Sequence, residues 1–147
     1  MKEKNELTAS FEMGIQKSPL EVTEAIVNGE MMAGYFLKES SGRMEVGKTE
    51  MWTFPEFPES FPVEVQEVIP GKLIRFIWDP KSCVRIDIRE EKEGTVVKVT
   101  ETGYSDDEEG IKWAVRQAGG WGSFLTALKA YLEYGINLRK GAYFFMK

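Results

Sequence analysis

Histidine is absent from this chain of 147 residues, and cysteine occurs once, at Cys83. The commonest metal ligand and the commonest general base are therefore both missing. A single cysteine excludes an intrachain disulfide. Cys83 also lacks a histidine to activate it, so a small core or edge residue is the better reading than a nucleophile. Long hydrophobic runs are missing too: no stretch approaches the ~20 apolar residues of a membrane span. Basic charge is in deficit, with 19 Lys and Arg against 24 Asp and Glu and a net charge of -5. That balance argues against nucleic acid or an anionic membrane as a partner. The opening Met1-Lys2-Glu3-Lys4-Asn5-Glu6 is charged with no apolar run behind it, so no secretory signal is expected and a cytoplasmic location is the default.

Apolar residues make up 42% of the chain and include four Trp, five Tyr and nine Phe. One domain spanning 1–147 is expected, with terminal segments at 1–6 and 136–147. At this length roughly two-thirds of the unfolded surface can be buried, so neither a metal nor a disulfide is required for stability.

Periodicity divides the chain. Ala9, Phe11, Met13 and Ile15 alternate and predict a strand over Leu7 to Lys17. Ser18-Pro19-Leu20-Glu21 reads as a capping box with Pro at the first helical position, opening a short helix that turns Val22, Ala25 and Ile26 inward. Asn28 can cap a second short helix covering Met31, Met32, Tyr35 and Phe36. Ser40-Ser41-Gly42 breaks the pattern, and residues 43–102 read as an antiparallel meander. Its first strand carries Met44, Val46, Lys48, Glu50 and Trp52 on one face and ends near Phe54. Pro55, Pro58 and Pro62 make a loop. Val63 to Val68 is a short strand, Pro70-Gly71 a turn, and Lys72 to Trp78 the returning strand. Val84, Ile86 and Ile88 alternate with Arg85, Asp87 and Arg89 as the clearest half-buried strand. Glu93-Gly94 then turns into a strand over Thr95 to Thr102.

Ser105-Asp106-Asp107-Glu108 reads as a second capping box, and the acidic run Asp106 to Glu109 suits a solvated helix start better than a metal site. Gly119-Gly120 predicts a kink or restart in that helix. Trp121, Leu125, Leu128 and Leu132 form its apolar stripe, and Gly135 is placed to end it. Sequential strands joined by short turns, followed by a helix with an apolar stripe, predict an α+β fold in which the last helix covers the sheet.

Gly42-Arg43-Met44-Glu45-Val46-Gly47-Lys48-Thr49 satisfies the phosphate-binding pattern G-x-x-x-x-G-K-[ST]. Phosphate binding of that kind needs a strand before the loop and a helix after it. The predicted order is reversed, so the match is read as coincidence.

The stretch Ile69-Pro70-Gly71-Lys72-Leu73-Ile74-Arg75-Phe76-Ile77-Trp78 carries a resemblance, together with Gly119-Gly120-Trp121, Leu125, Leu128, Leu132-Glu133 and Gly135. Joined to Ser18-Pro19-Leu20-Glu21-Val22 and the β–α–α–β order, these residues resemble the START-like (SRPBCC, birch-pollen-allergen-like) helix-grip superfamily. Within it they look like the branch named after the activator of the heat-shock chaperone ATPase. The resemblance runs from about Phe11 to Gly135. It implies a curved antiparallel sheet wrapped around a long C-terminal helix, in the order β-α-α-β(meander)-α, with an apolar cavity between them. Members of the superfamily bind lipids, sterols or aromatic polyketides, and a few are cyclases or hydrolases.

The candidate cavity lining is Trp52, Phe54, Trp78, Ile86, Glu101, Trp113, Trp121, Phe124, Leu125 and Leu128. Such pockets are mostly apolar with a few polar groups fixing orientation. Glu101, Arg85 and Tyr35 are the candidate orienters. Trp121 is expected to lie against Ile86, Ile88 or Trp78, with Gly119-Gly120 letting the helix approach the sheet. The leading expectation is non-catalytic binding of a small apolar or amphipathic molecule, with no cofactor and no metal. The alternatives are a protein-interaction module acting on a chaperone or another protein, which predicts an exposed apolar patch, and an enzyme using a cavity carboxylate.

Overall fold

Ten residues of alternating burial open the fold seen in a computed structural model, which describes residues 5–146. They form β1 (Glu6–Ile15), followed by α1 (Pro19–Val27), α2 (Gly29–Met32) and β2 (Glu39–Ser40). Next come β3 (Thr49–Thr53), β4 (Ser60–Ile69), β5 (Leu73–Asp79), β6 (Ser82–Glu91) and β7 (Gly94–Ser105). The helix α3 (Glu108–Tyr134) and a short 3-10 turn over Phe144–Met146 complete the order. The irregular start expected over residues 1–6 lies outside the described residues for 1–4, while Glu6 already pairs with Ser105.

All strands pair antiparallel in one seven-stranded sheet, ordered β1-β7-β6-β5-β4-β3-β2. Register shifts at Glu6/Thr8, Val65/Glu67 and Phe76/Asp79 bend the strands, because an extra residue on one strand increases its local twist. The curved sheet grips α3, which packs chiefly against β1 and β7. This is the helix-grip architecture.

The capping box at Ser18 forms as its sequence dictates: Ser18 Oγ accepts from the Glu21 N–H at 3.2 Å, and the Glu21 carboxylate accepts from the Ser18 N–H at 3.4 Å. Asn28 Oδ1 accepts from the N–H groups of Glu30 and Met31, capping α2. That helix is shorter than expected and ends at Met32. Both Phe36 and Leu37 direct their N–H groups to Met32 O, so Tyr35 and Phe36 enter the core from turns.

Three further expectations are corrected. The strand predicted from Met44 starts only at Thr49. Residues 43–48 are instead a loop in which Met44 N–H reaches Val27 O and Gly47 takes a φ of 84°, a left-handed turn conformation. Pro62 lies inside β4 and not in the loop before it. It faces Met51 of β3, where β4–β5 pairing has not begun, and β5 pairs from Glu64 onward, so its missing N–H breaks no ladder bond to β5. The second cap is Asp107 and not Ser105: Asp107 Oδ1 accepts from the Gly110 N–H at 2.8 Å. The phosphate-loop pattern is followed by strand β3, so no helix N-terminus meets it.

Nor does Gly119-Gly120 interrupt α3, which runs unbroken from Glu108 to Tyr134. Both glycines face open space, so they do not bring the helix close to the sheet. Gly122 does that: a methyl there would stand 3.3 Å from the Phe11 ring of β1. Gly135 ends the helix with a φ of 67°, as its position predicts.

The core joins Val22, Ala25 and Ile26 of α1 to Val63, Ile74, Phe76, Val84, Ile86, Val97 and Val99 of the sheet, and to Trp121, Phe124, Leu125 and Leu128 of α3.

Candidate functional site

Strand β7 turns Thr95, Val97 and Val99 inward, and Glu101 follows in the same phase. Its side chain is fully buried, with a relative exposure of 0%. A carboxyl group removed from water is costly unless its oxygens are hydrogen-bonded. Here Oε1 accepts from Gln117 Nε2 at 2.8 Å and Trp121 Nε1 at 2.9 Å. Oε2 accepts from Trp78 Nε1 at 2.9 Å and Ser82 Oγ at 2.7 Å. Two donors per oxygen fill the lone-pair positions of a carboxylate. No Lys or Arg forms an ion pair with it among the described residues.

This carboxylate ties β5, β6 and α3 to β7. The β5–β6 register shifts between Phe76 and Asp79, the stretch that carries Trp78, where β5 meets α3. The Trp78 ring stacks on Trp121 with centroids 5.2 Å apart and planes 29° apart. Of the contacts expected for Trp121, the one with Trp78 is therefore made.

Above this network lies a cleft of about 270 Å³, lined by Phe54, Phe57, Phe61, Trp78, Asp79, Tyr104, Trp113, Arg116 and Gln117. Tyr104 stacks on Trp113 with centroids 4.3 Å apart and planes 15° apart. The Tyr104 hydroxyl donates to Asp79 Oδ2 at 2.8 Å, and that bond, followed by burial, raises its pKa above the ordinary phenol value. Tyr104 therefore stays a neutral donor at physiological pH. Asp79 Oδ1 accepts from the Lys81 N–H at 2.9 Å, so both its oxygens are engaged. A larger cleft of about 520 Å³ lies nearby over Glu6, Lys81, Gly103, Tyr104, Ser105, Asp107 and Glu109. Its walls are mostly polar and charged, which suits an apolar ligand poorly.

The sequence candidates divide between cleft and core. Phe54, Trp78 and Trp113 line the cleft. Trp52, Ile86, Trp121, Phe124, Leu125 and Leu128 are buried in the packed core behind it, and Glu101 joins the two layers. The three candidate orienters part company: Tyr35 is buried and donates to Ala25 O at 2.8 Å, while Arg85 is exposed and pairs with Asp87 on the outer sheet face. Burial holds the Tyr35 phenol well above its usual pKa.

Several residues escaped the sequence reading. Phe57 lies in the loop between β3 and β4 and Phe61 at the start of β4, amid Pro55, Pro58 and Pro62, where no periodicity marks them. Arg139, in the expected terminal segment, folds back so that its guanidinium lies 5.3 Å from the ring centroids of both Phe36 and Phe54 and 4.8 Å from that of Tyr143. It also pairs with Glu56 at 3.1 Å, with side-chain exposures of only 16% and 5%. The C-terminal segment thus clamps the loop that forms one wall of the cleft.

A seven-stranded antiparallel sheet curled around a long C-terminal helix defines a START-like helix-grip protein. The family model described as "Activator of Hsp90 ATPase homolog 1-like protein" matches residues 17–133, and the chain belongs to that family. A crystal structure of a protein from Staphylococcus saprophyticus is similar at 31% identity and a TM-score of 0.82, covering 90% of this chain and 96% of that one. A Mesorhizobium loti protein aligns at 18% identity with a TM-score of 0.76, over 86% of this chain and 97% of that one. The Aha1 dimer from Colwellia psychrerythraea aligns at 19% identity with a TM-score of 0.76, over 88% of this chain and 98% of that one. At such identities the last two speak to the fold alone. No curated protein matches the chain. No described helix is long and apolar enough to cross a membrane, and no described cluster of three or more His, Cys, Asp or Glu residues could hold a metal ion.

Proposed function

We propose that the protein binds a small apolar or amphipathic molecule in the aromatic cleft between the Phe54–Phe61 loop, the end of β5 and the first half of α3. The observation that carries this reading is the convergence of six aromatic side chains on one concave surface, with Phe57 and Phe61 each left 38% exposed. Apolar walls with a few polar groups are the usual makeup of a small-molecule site. Glu101 supports the cleft and does not react in it, because four donors already occupy its oxygens and leave none for a substrate proton. The test is titration with N-phenyl-naphthylamine, a neutral apolar fluorophore. Saturable uptake, weakened several-fold by Phe57→Ser or Phe61→Ser, supports the reading. Uptake that is absent, or indifferent to both changes, removes it.

A second reading is a protein-interaction module. The family is named for activation of the Hsp90 ATPase. Exposed apolar side chains at Tyr134, Ile136, Leu138, Phe144, Phe145 and Met146 give such a partner a surface. Acceleration of a purified Hsp90 ATPase, lost in a Phe144→Ser/Phe145→Ser variant, supports this reading. An unchanged rate counts against it.

A further inference from the structure

The polar groups of the aromatic cleft are unequal, and their inequality specifies the ligand. Asp79 has both oxygens engaged, by the Tyr104 hydroxyl and the Lys81 N–H. Tyr104 spends its proton on Asp79. Gln117 gives its amide N–H to Glu101, and because Glu101 only accepts, the Gln117 carbonyl oxygen is left as the free end of that side chain. Arg116 remains. It lines the cleft, is exposed at its rim, and forms no hydrogen bond or ion pair with any described residue. It is the one cationic side chain in that lining.

We infer that the ligand is a largely flat, apolar molecule bearing one acidic group, with its ring system against Trp78, Phe57 and Phe61 and its oxyanion on the Arg116 guanidinium. The inference rests on the cleft being the binding site and adds the chemical class of what fills it. A flat body suits walls made of ring faces and edges. An oxyanion suits a guanidinium, whose planar fork pairs with two oxygens at once. A ligand of positive charge would have to share Asp79, each of whose oxygens already accepts one hydrogen bond, whereas the Arg116 guanidinium has no partner among the described residues. The Gln117 carbonyl can take one hydroxyl or N–H from the ligand, which fixes its orientation without adding charge.

The experiment compares two fluorophores with one ring system: anilinonaphthalene sulfonate, which carries an acidic group, and N-phenyl-naphthylamine, which does not. Each is titrated into the intact protein and into Arg116→Met and Arg116→Lys variants. Arg116 is exposed on a helix, and Met and Lys are both good helix formers, so the variants stay folded. The sulfonate probe is expected to bind more tightly than the neutral one. Arg116→Met should weaken the sulfonate probe by about five- to tenfold, the scale of a charge-assisted contact at a solvated rim. The neutral probe should lose no affinity, because Met keeps an apolar stem at the rim, and Arg116→Lys should keep most of the preference. Equal affinities for the two probes, or an equal loss of both in Arg116→Met, overturn the acidic-ligand inference while the cleft keeps its role. Uptake of neither probe overturns the cleft reading and this inference with it.

Discussion

The indole N–H of Trp121 donates to Glu101 Oε1 at 2.9 Å, so the first large side chain of the helix stripe is held by a buried carboxylate and not by apolar packing alone. Trp78 donates to the other oxygen of the same carboxylate and stacks on Trp121. One charged side chain thereby sets the relative placement of two indoles, one in the core and one on the cleft wall.

Replacing Glu101 tests that arrangement. Glu101→Gln puts an amide N–H among four donors and leaves one acceptor oxygen, which should cost about 1–3 kcal/mol for the donors left unpaired. Glu101→Leu removes both acceptors and should cost more. Urea unfolding measures both, and a Leu variant as stable as the parent protein would mean that the hydrogen bonds contribute nothing net.

Trp121→Ala removes a side chain that is only 3% exposed. A loss of roughly 3–5 kcal/mol is expected, the range for a large buried aromatic. A loss below about 0.5 kcal/mol, the scale of an ordinary surface change, would place Trp121 outside the core.

Gly119 and Gly120 lie in a continuous helix, and a methyl at either would meet no atom within 4 Å. Gly119→Ala and Gly120→Ala should each raise stability by about 0.5–1 kcal/mol, because Ala loses less backbone freedom on folding. A fall in melting temperature for both would mean that the helix needs these glycines for a packing or conformational reason absent from the geometry.

Acid should unmake one ion pair. Arg43 holds the Glu24 carboxylate through two hydrogen bonds of 2.9 and 2.7 Å, and with help from Asn28 lowers its pKa from 4.5 to about 2 against an opposing effect of burial. A carboxyl group whose pKa is depressed in the folded state contributes stability above its unfolded pKa, and loses it as pH falls through the folded value. Both side chains are more than a third exposed, so solvent screening limits the contribution to about 1 kcal/mol or less. Arg43→Ala should therefore be slightly less stable than the parent protein at pH 7, and the difference should close between pH 4.5 and about 2. A difference independent of pH would assign the effect to something other than this pair.

Much of the fold was legible in the sequence because its signals are local. The alternation of Val84, Ile86 and Ile88, the Ser18 capping box and the stripe from Trp121 to Leu132 each follow from spacing alone. The loop over 43–48 was misread because Met44 and Val46 alternate like a strand, while Met44 is in fact drawn to Val27 of α1 and Gly47 turns the chain. Gly119-Gly120 suggested a break because propensity is a weak local preference, and a helix with Trp113, Trp121, Phe124, Leu125 and Leu128 buried on its inner face overrides it. The site was legible only in part. Phe54, Trp78 and Trp113 could be placed by their phase on strand or helix. Glu101 lay in phase with Val97 and Val99, which was its one local clue, but its four donors come from β5, β6 and α3. Arg139 gave no clue, since its partners Glu56, Phe36 and Phe54 lie far away in sequence.

The most direct test of ligand binding at the cleft follows the four tryptophan indole N–H signals by NMR during titration with N-phenyl-naphthylamine. Trp113 and Trp78 line the cleft, whereas Trp52 is buried among Phe36, Phe76 and Trp78 in the core. Saturable shifts at Trp113 and Trp78 with the Trp52 signal unmoved are expected. A shift at Trp52 with Trp113 unmoved would put the ligand in the core interior, and four unmoved signals would mean that no such ligand binds.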